Sequence, residues 1–153
     1  GDLKMRVYAM ASATKANLDH YLRKGIIKTD RLHVRSFKFY ADGALGSRGA
    51  MLRAPYSDKP GHLGLMVNSV ETLRETAQRI ANSEYQMNTH AIGDSANRSV
   101  LQTYAKVLQD KPGRRWRVEH AQVVSPEDFE LYKDIIPSVQ PTHATSDMYW
   151  AED

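Results

Sequence analysis

Strand-like and helix-like hydrophobic patterns alternate along the whole chain. Five segments rich in apolar, β-branched and aromatic residues are predicted strands, at 3–10, 32–40, 85–90, 116–120 and 136–143. Pro141, inside the last segment, indicates that regular strand pairing stops early there. Strands that alternate with helices usually form a parallel sheet, so the pattern predicts an α/β fold.

Four helical segments separate these strands. The first begins at Thr14, which has a capping hydroxyl, and ends at Gly25. The second begins near Ser69 and repeats apolar residues at helical spacing. The third covers about 96–108 and is followed by a Pro-Gly pair, and the fourth opens with Ser-Pro-Glu-Asp at 125–128 and ends near 134. The chain is therefore interpreted as one structural segment, 1–153.

Composition limits the kinds of function that the chain can have. Its 21 basic and 18 acidic residues give a net charge of +3, and the basic residues are scattered, which argues against a nucleic-acid-binding face. No apolar run approaches the roughly 18 residues of a membrane helix. The first residues lack the pattern of a signal peptide, so we expect a cytoplasmic protein without a membrane partner.

The chemistry-bearing residues lie where the predicted strands end. Lys38 is near the end of the second strand, His90 closes the third and His120 closes the fourth. Because the carboxyl ends of parallel strands meet on one face of an α/β barrel, these side chains are expected to converge. The chain has no cysteine, which leaves histidine, carboxylate and modified lysine as ligands for a catalytic metal.

The spacing of the two histidines allows a shared ion. His90 and His120 lie one strand-helix-strand repeat apart, at equivalent heights on neighbouring strands. The alternative is two hydrogen-bonded polar residues at the mouth of a barrel. Lys38 could serve as a cation, a Schiff-base nucleophile or a ligand modified by carbon dioxide, or it could be a surface charge. His143, which ends the last predicted strand, could contact substrate or metal, or could donate a loop hydrogen bond.

Several acidic residues near these positions have structural interpretations. Asp94 is expected to stabilise the start of a helix, and Asp42 a glycine-rich turn. Strict alternation places Glu119 outward, opposite to His120. The long glycine-rich connection after the second strand is expected to shape a substrate pocket or lid, with Arg48 available to bind an anionic group.

Four motifs occur in order along the chain: KFYADGALGSR at 38–48, HAIGD at 90–94, VEHAQ at 118–122 and SVQPTH at 138–143. Together they resemble the YtcJ-like branch of the amidohydrolase superfamily, often called amidohydrolase family 3. The resemblance implies a (β/α)8 TIM barrel, of which this chain supplies about five parallel strands alternating with helices, equivalent to barrel strands three to seven.

The resemblance also implies a metal-dependent hydrolase that acts on non-peptide carbon-nitrogen bonds of a small-molecule substrate through metal-activated water. By position, His90 and His120 correspond to metal-binding histidines after barrel strands five and six, and Lys38 to a lysine that can be carboxylated to bridge two ions. One or two divalent ions, commonly zinc, are implied. His143 and Lys38 are the candidate catalytic residues.

Two parts of the family's site do not occur in this sequence: a metal-binding His-x-His pair after the first barrel strand and a proton-shuttling aspartate after the eighth. We therefore expect a segment of a longer enzyme that, purified alone, binds metal weakly, shows negligible hydrolase activity and self-associates through its open sheet. The competing hypotheses are a non-catalytic binding or structural domain of the same fold, and a metal-free barrel enzyme that uses Lys38 as a Schiff-base nucleophile.

Overall fold

The computed structural model describes residues 3–146, and these residues form helices and strands in alternation. The strands are β1 (Val7–Ser12), β2 (Ile27–Lys28), β3 (Leu32–Tyr40), β4 (Gln86–Ala91), β5 (Arg117–His120) and β6 (Ile136–Ser138). The helices are α1 (Lys15–Lys24), α2 (Val70–Ala81), α3 (Asp94–Val107) and α4 (His143–Ser146), with a 3₁₀ helix over Pro126–Tyr132.

The sheet is mostly parallel, and its order confirms the predicted fold class. The strands run in the order β1-β3-β4-β5-β6, and each neighbouring pair is parallel. The short strand β2 pairs with β3 in the antiparallel direction and was not predicted, because two residues carry no periodic signal. Five parallel strands joined through helices form an open part of a (β/α)8 barrel.

The ends of the first two helices follow their capping residues, as the sequence predicts. The Thr14 hydroxyl accepts a hydrogen bond from the Asn17 amide at 3.2 Å, and Ser69 does the same at the start of α2. Gly25 ends α1 with a φ of 83°, and its amide donates to the Tyr21 carbonyl. These caps satisfy backbone groups that would otherwise lack partners at the helix ends.

Two predicted elements near the carboxyl-terminal side differ in the structure. The fourth helix is a 3₁₀ helix, and the Ser125 hydroxyl before it donates to the Asp94 carboxylate at 3.2 Å and makes no capping bond. The fifth predicted strand ends at Ser138, so the prediction was wrong for 139–143. Proline cannot donate to a sheet ladder, and Pro137 and Pro141 flank the point at which pairing stops.

The hydrophobic core lies between the sheet and the helices. Strand side chains that face the helices include Phe37, Met87 and Val118, all with no exposed surface, and α2 and α3 contribute Leu73, Ile80 and Leu101. Because side chains alternate along a strand, the opposite face of the same strands carries mostly polar residues. We call this the inner face, and the residues of the predicted site lie on it.

The long connection between β3 and α2 covers the carboxyl-terminal edge of the sheet. The Met51 carbonyl accepts hydrogen bonds from the Ser95 and Ala96 amides at the start of α3. A Cβ atom at Gly93 would lie 2.1 Å from the Met51 carbonyl oxygen, so this close approach requires glycine. Arg53 extends the attachment through ion pairs with Glu127 and Asp128 of the 3₁₀ helix.

The core can be tested with two leucines that differ in burial. Leu101 has no exposed surface, whereas Leu65 is 53% exposed. Leu101→Ala is expected to lower the free energy of unfolding by about 2–5 kcal/mol, the usual cost of a cavity in a packed core. Leu65→Ala is expected to change it by less than about 0.5 kcal/mol. Urea titrations of both variants measure the difference, and equal costs would contradict the described core.

Candidate metal centre

The candidate site lies on the inner face of the sheet, at the carboxyl ends of β3, β4 and β5. The parallel register aligns Lys38 with Asn88, and His90 with Glu119. These four side chains therefore share one face, opposite to the core residues. The prediction that Glu119 points outward was wrong, because β5 alternates regularly only up to Glu119, which lies inward.

His90 is presented by the last residues of β4 and is half-buried. Its Nε2 atom donates to the Gly43 carbonyl at 3.2 Å and lies 3.5 Å from the Asp42 carboxylate. A proton on Nε2 leaves the lone pair on Nδ1, which is the nitrogen that can bind a metal. Burial lowers the pKa of His90, the Gly43 hydrogen bond opposes this, and positive charge on His120 or Lys38 lowers it further.

His120 reaches the site through an unusual backbone conformation. Its register partner is Ala91, a core-facing residue, so continued alternation would have directed His120 toward the helices. Instead, His120 has a φ of 77° and Ala121 a φ of 44°, both in the left-handed region. The predicted position of His120 beside His90 agrees with the structure, but strand alternation does not produce it.

The two imidazole rings lie close together, and their hydrogen bonds leave complementary nitrogens. The ring centroids are 4.7 Å apart with an interplanar angle of 70°. The Nδ1 atom of His120 donates to Gln140 Oε1 at 2.7 Å, which leaves the Nε2 lone pair. Two imidazoles bound at about 2.0–2.1 Å to one tetrahedral ion have centroids about 5 Å apart. The centroid separation of the two histidines is close to this value.

Lys38 lies on the same face and is surrounded by polar and aromatic groups. Its Nζ atom is 5.1 Å from the centroid of the Tyr40 ring. Burial lowers the pKa of Lys38; the charge of Glu119 opposes this, and that of Arg117 adds to it. Arg117 and Glu119 also form an ion pair of 2.6 Å with each other. A lysine with a lowered pKa has more neutral amine for carbon dioxide or a carbonyl to react with.

His143 lies near the histidine pair, but it does not end a strand as predicted. It begins α4, and its ring centroid is 6.4 Å from that of His120. The backbone turns after Gln140, where the His143 amide donates to the Gln140 carbonyl. The rings of His90, His120 and His143 thus form a row, and a catalytic role for His143 stays a prediction.

Other residues have clearer structural partners than the sequence indicated. The Asp42 carboxylate accepts hydrogen bonds from the backbone amides of Ile92, Gly93 and Met51, so it stabilises distant loops as well as its own turn. Burial raises the pKa of Asp42, whereas these hydrogen bonds and the His90 charge lower it. The Arg48 guanidinium forms an ion pair with Asp58. The positive charge that was predicted to bind an anionic group therefore already has a partner within the chain.

Two polar residues near the site were missed. Gln140 accepts from His120, and fully buried Asn97 donates to carbonyls that follow β4 and β5. Asn97 has a signal in the sequence, because it is a polar residue on the apolar stripe of α3, next to Ala96. Asp94 accepts from the Arg53 amide and the Ser125 hydroxyl at the start of α3, in agreement with its predicted structural role.

Residues 3–146 contain no group of three histidine, cysteine, aspartate or glutamate side chains arranged to hold an ion. The same residues include no helix of the length and hydropathy needed to cross a bilayer. Within these residues, the candidate site consists of the two imidazoles together with Lys38.

Comparisons with known proteins agree with the fold and with the motifs. The model of the amidohydrolase family matches residues 2–153, and this chain belongs to that family. It is 38% identical over 120 residues to the putative amidohydrolase YtcJ of Bacillus subtilis, an alignment that covers 77% of this chain. It is also 36% identical over 134 residues, 85% of this chain, to the protein LONG AFTER FAR-RED 3 of Arabidopsis thaliana.

Two solved structures are also similar, and both are described as uncharacterized metal-dependent hydrolases. The protein from Pyrococcus furiosus is 31% identical, with a TM-score of 0.83 over 96% of this chain. The one from Pyrococcus horikoshii is 32% identical, with a TM-score of 0.79 over 94% of this chain. The chain spans 23% and 22% of the length of the two curated relatives, and 31% and 29% of the two solved structures.

The environment of His90 predicts its titration. Because burial disfavours the imidazolium form, His90 is expected to titrate below the 6.5 of an ordinary histidine. The unfolded chain then binds the proton more readily, so His90 destabilises the fold as pH falls through 6.5 toward its folded pKa. Histidine ring resonances followed by NMR in the metal-free protein measure this pKa. A midpoint at or above 6.5 would contradict the described burial.

Proposed function

We propose that this chain contributes half of a metal centre to a hydrolase that acts on non-peptide carbon-nitrogen bonds of the amide type. The observation that carries the proposal is the pair of half-buried imidazoles at 4.7 Å, whose hydrogen bonds leave Nδ1 of His90 and Nε2 of His120 for one ion. Membership of the amidohydrolase family supports hydrolase chemistry. The similar metal-dependent hydrolases support a divalent ion, for which we propose zinc.

In this proposal each residue has a defined task. His90 and His120 would hold the ion, and Gly43 and Gln140 fix their rings in the tautomers that ligation requires. Such an ion would supply Lewis-acid polarisation of a substrate carbonyl and activation of water near neutral pH. Burial lowers the pKa of Lys38, and its amine would be the group that carbon dioxide converts to a carbamate ligand with release of a proton; the Tyr40 ring lies beside it.

The proposed role of the inner face also defines where substrate binds. Tyr40 is 47% exposed and its ring centroid lies 5.6 Å from that of His90, so it stands at the border of the candidate metal position. His143 lies at the other end of the histidine row, next to His120. We propose that a small amide-type substrate lies between them, and that the sheet corresponds to strands three to seven of the complete barrel.

Metal binding by the two histidines can be measured in this chain. Titration with cobalt(II), a paramagnetic substitute for zinc, is expected to broaden the NMR signals of His90 and His120 first. The variants His90→Ala and His120→Ala are each expected to weaken cobalt binding by at least about tenfold, the loss that even outer-shell partners of a metal site produce. The matched control is His62→Ala, because His62 lies in the β3–α2 connection and bonds to the Arg48 carbonyl.

The result separates the proposal from the hypothesis of a non-metal binding domain. Cobalt binding that needs His90 and His120 but tolerates the loss of His62 would support the metal centre. Unchanged affinity in the His90→Ala and His120→Ala variants, or equal losses in all three variants, would contradict it.

A further inference from the structure

The backbone between His90 and α3 is bound along both of its edges by buried side chains. The Asn97 side-chain amide donates to the carbonyls of Ala91, Ile92 and Gly93 at 3.3, 3.2 and 2.9 Å. On the other edge, the Asp42 carboxylate accepts from the Ile92 and Gly93 amides at 3.0 and 2.8 Å. The 91–93 segment is thus held by a donor on its carbonyl side and an acceptor on its amide side.

The same asparagine connects this segment to the turn that follows His120. Asn97 Nδ2 lies 3.2 Å from the Val123 carbonyl, and the Val123 amide donates to the Ile92 carbonyl at 2.9 Å. The Ala121 amide donates to the Ala91 carbonyl at 3.1 Å. The backbone that follows His90 is therefore hydrogen-bonded to the backbone that follows His120.

Asp42 and Asn97 are polar side chains, and their burial costs desolvation free energy. Asp42 is 1% exposed and Asn97 has no exposed surface, so each loses its hydration in the folded state. Asn97 lies on the packing stripe of α3, where most of the other buried residues are apolar. Each group recovers most of its hydrogen bonds from the strand ends of the site and the segments that follow them.

We propose that Asp42 and Asn97 are positioning residues of opposite polarity that together set the separation of His90 and His120. The inference rests on the proposed metal centre for its functional meaning. Asp42 fixes the 91–93 segment to the loop after β3, where its carboxylate also accepts from the Met51 amide at 2.9 Å. Asn97 fixes that segment to the turn after β5. Three strand-end loops are thereby held in register.

Two isosteric exchanges test this arrangement. Asp42→Asn places an amide donor against backbone N–H donors, and Asn97→Asp places a carboxylate oxygen against carbonyl oxygens. Both keep the size of the side chain. In the metal-free protein, each exchange is expected to weaken the NOE between the His90 and His120 rings. The ring pair of Tyr104 and Trp116 in the core, also at 4.7 Å, is the internal reference and is expected to stay unchanged.

Cobalt affinity provides the second measurement. Each exchange is expected to lower it by about 10–100-fold, the usual effect of losing an outer-shell partner of a metal site. The matched control is Ile80→Ala, which removes a fully buried side chain near the end of α2, at the opposite edge of the sheet. This variant is expected to lose stability but to keep the His90–His120 NOE and the cobalt affinity of the unaltered chain.

The outcomes separate this inference from the proposed function. Loss of the His90–His120 NOE in both exchanges supports positioning even if cobalt does not bind through the histidines, a result that would reject only the metal centre. An unchanged NOE overturns the positioning inference while histidine-dependent cobalt binding still stands. Equal effects of Ile80→Ala on the NOE would also overturn it, because general loss of stability would then explain the change.

A milder variant keeps the inference testable if the two exchanges prevent folding. The Tyr132 hydroxyl donates to Asn97 Oδ1 at 2.8 Å and orients the side-chain amide. Tyr132→Phe removes this hydrogen bond and retains the aromatic ring. It is expected to weaken the His90–His120 NOE to a smaller extent, and an unchanged NOE in a folded Tyr132→Phe protein would count against the positioning role.

Discussion

The two-residue alternation of side chains along parallel strands is the constraint on which the rest of this structure depends. Along β3, Phe37 and Phe39 are buried toward the helices, while Ser36, Lys38 and Tyr40 belong to the inner face. Because β3, β4 and β5 align in register, this division extends across the sheet. The core residues therefore lie on one face and the residues of the candidate site on the other. Polar residues can lie together at the strand ends without interrupting the core.

His120 is the point at which the site departs from this constraint. A non-glycine residue in the left-handed region costs of order 1–3 kcal/mol, and Ala121 adds a second such residue. The hydrogen bonds from the Ala121 and Val123 amides to the segment after β4 help to offset that cost. The conformation brings the His120 ring next to His90, whereas a regular strand would have buried it against the helices. The strained backbone at His120 and Ala121 is thus what brings the two imidazole rings together.

The parts of the fold that the sequence predicted are those with local causes. Thr14, Gly25 and Ser69 mark helix ends because their own side chains or backbone make the caps. Strand β3 matches its predicted bounds, since apolar residues recur at nearly every second position along its nine residues. The position of His120 beside His90 was also predicted, although from an alternation that the strand does not follow there.

The parts that the sequence did not predict depend on contacts between distant segments. The targets of Asp42 lie about fifty residues away, at Ile92 and Gly93, and a single sequence contains no sign of that pairing. Glu119 was placed on the wrong face because its orientation was deduced from His120, where the backbone breaks the pattern. His143 was predicted to end a strand, but pairing stops at Ser138, because Pro141 cannot donate to a sheet ladder.

Burial affects both the packing of the fold and the pKa values of residues in the candidate site. The pKa values of His90 and Lys38 are both lowered mainly by burial, and neighbouring charges modify this effect. Neutral imidazole is the form that binds a metal, and neutral amine is the form that reacts with carbon dioxide or a carbonyl. The β3–α2 connection, which Gly93 allows to approach closely, contacts His90 through Gly43, so it contributes both to the packing and to the burial that favours the neutral imidazole.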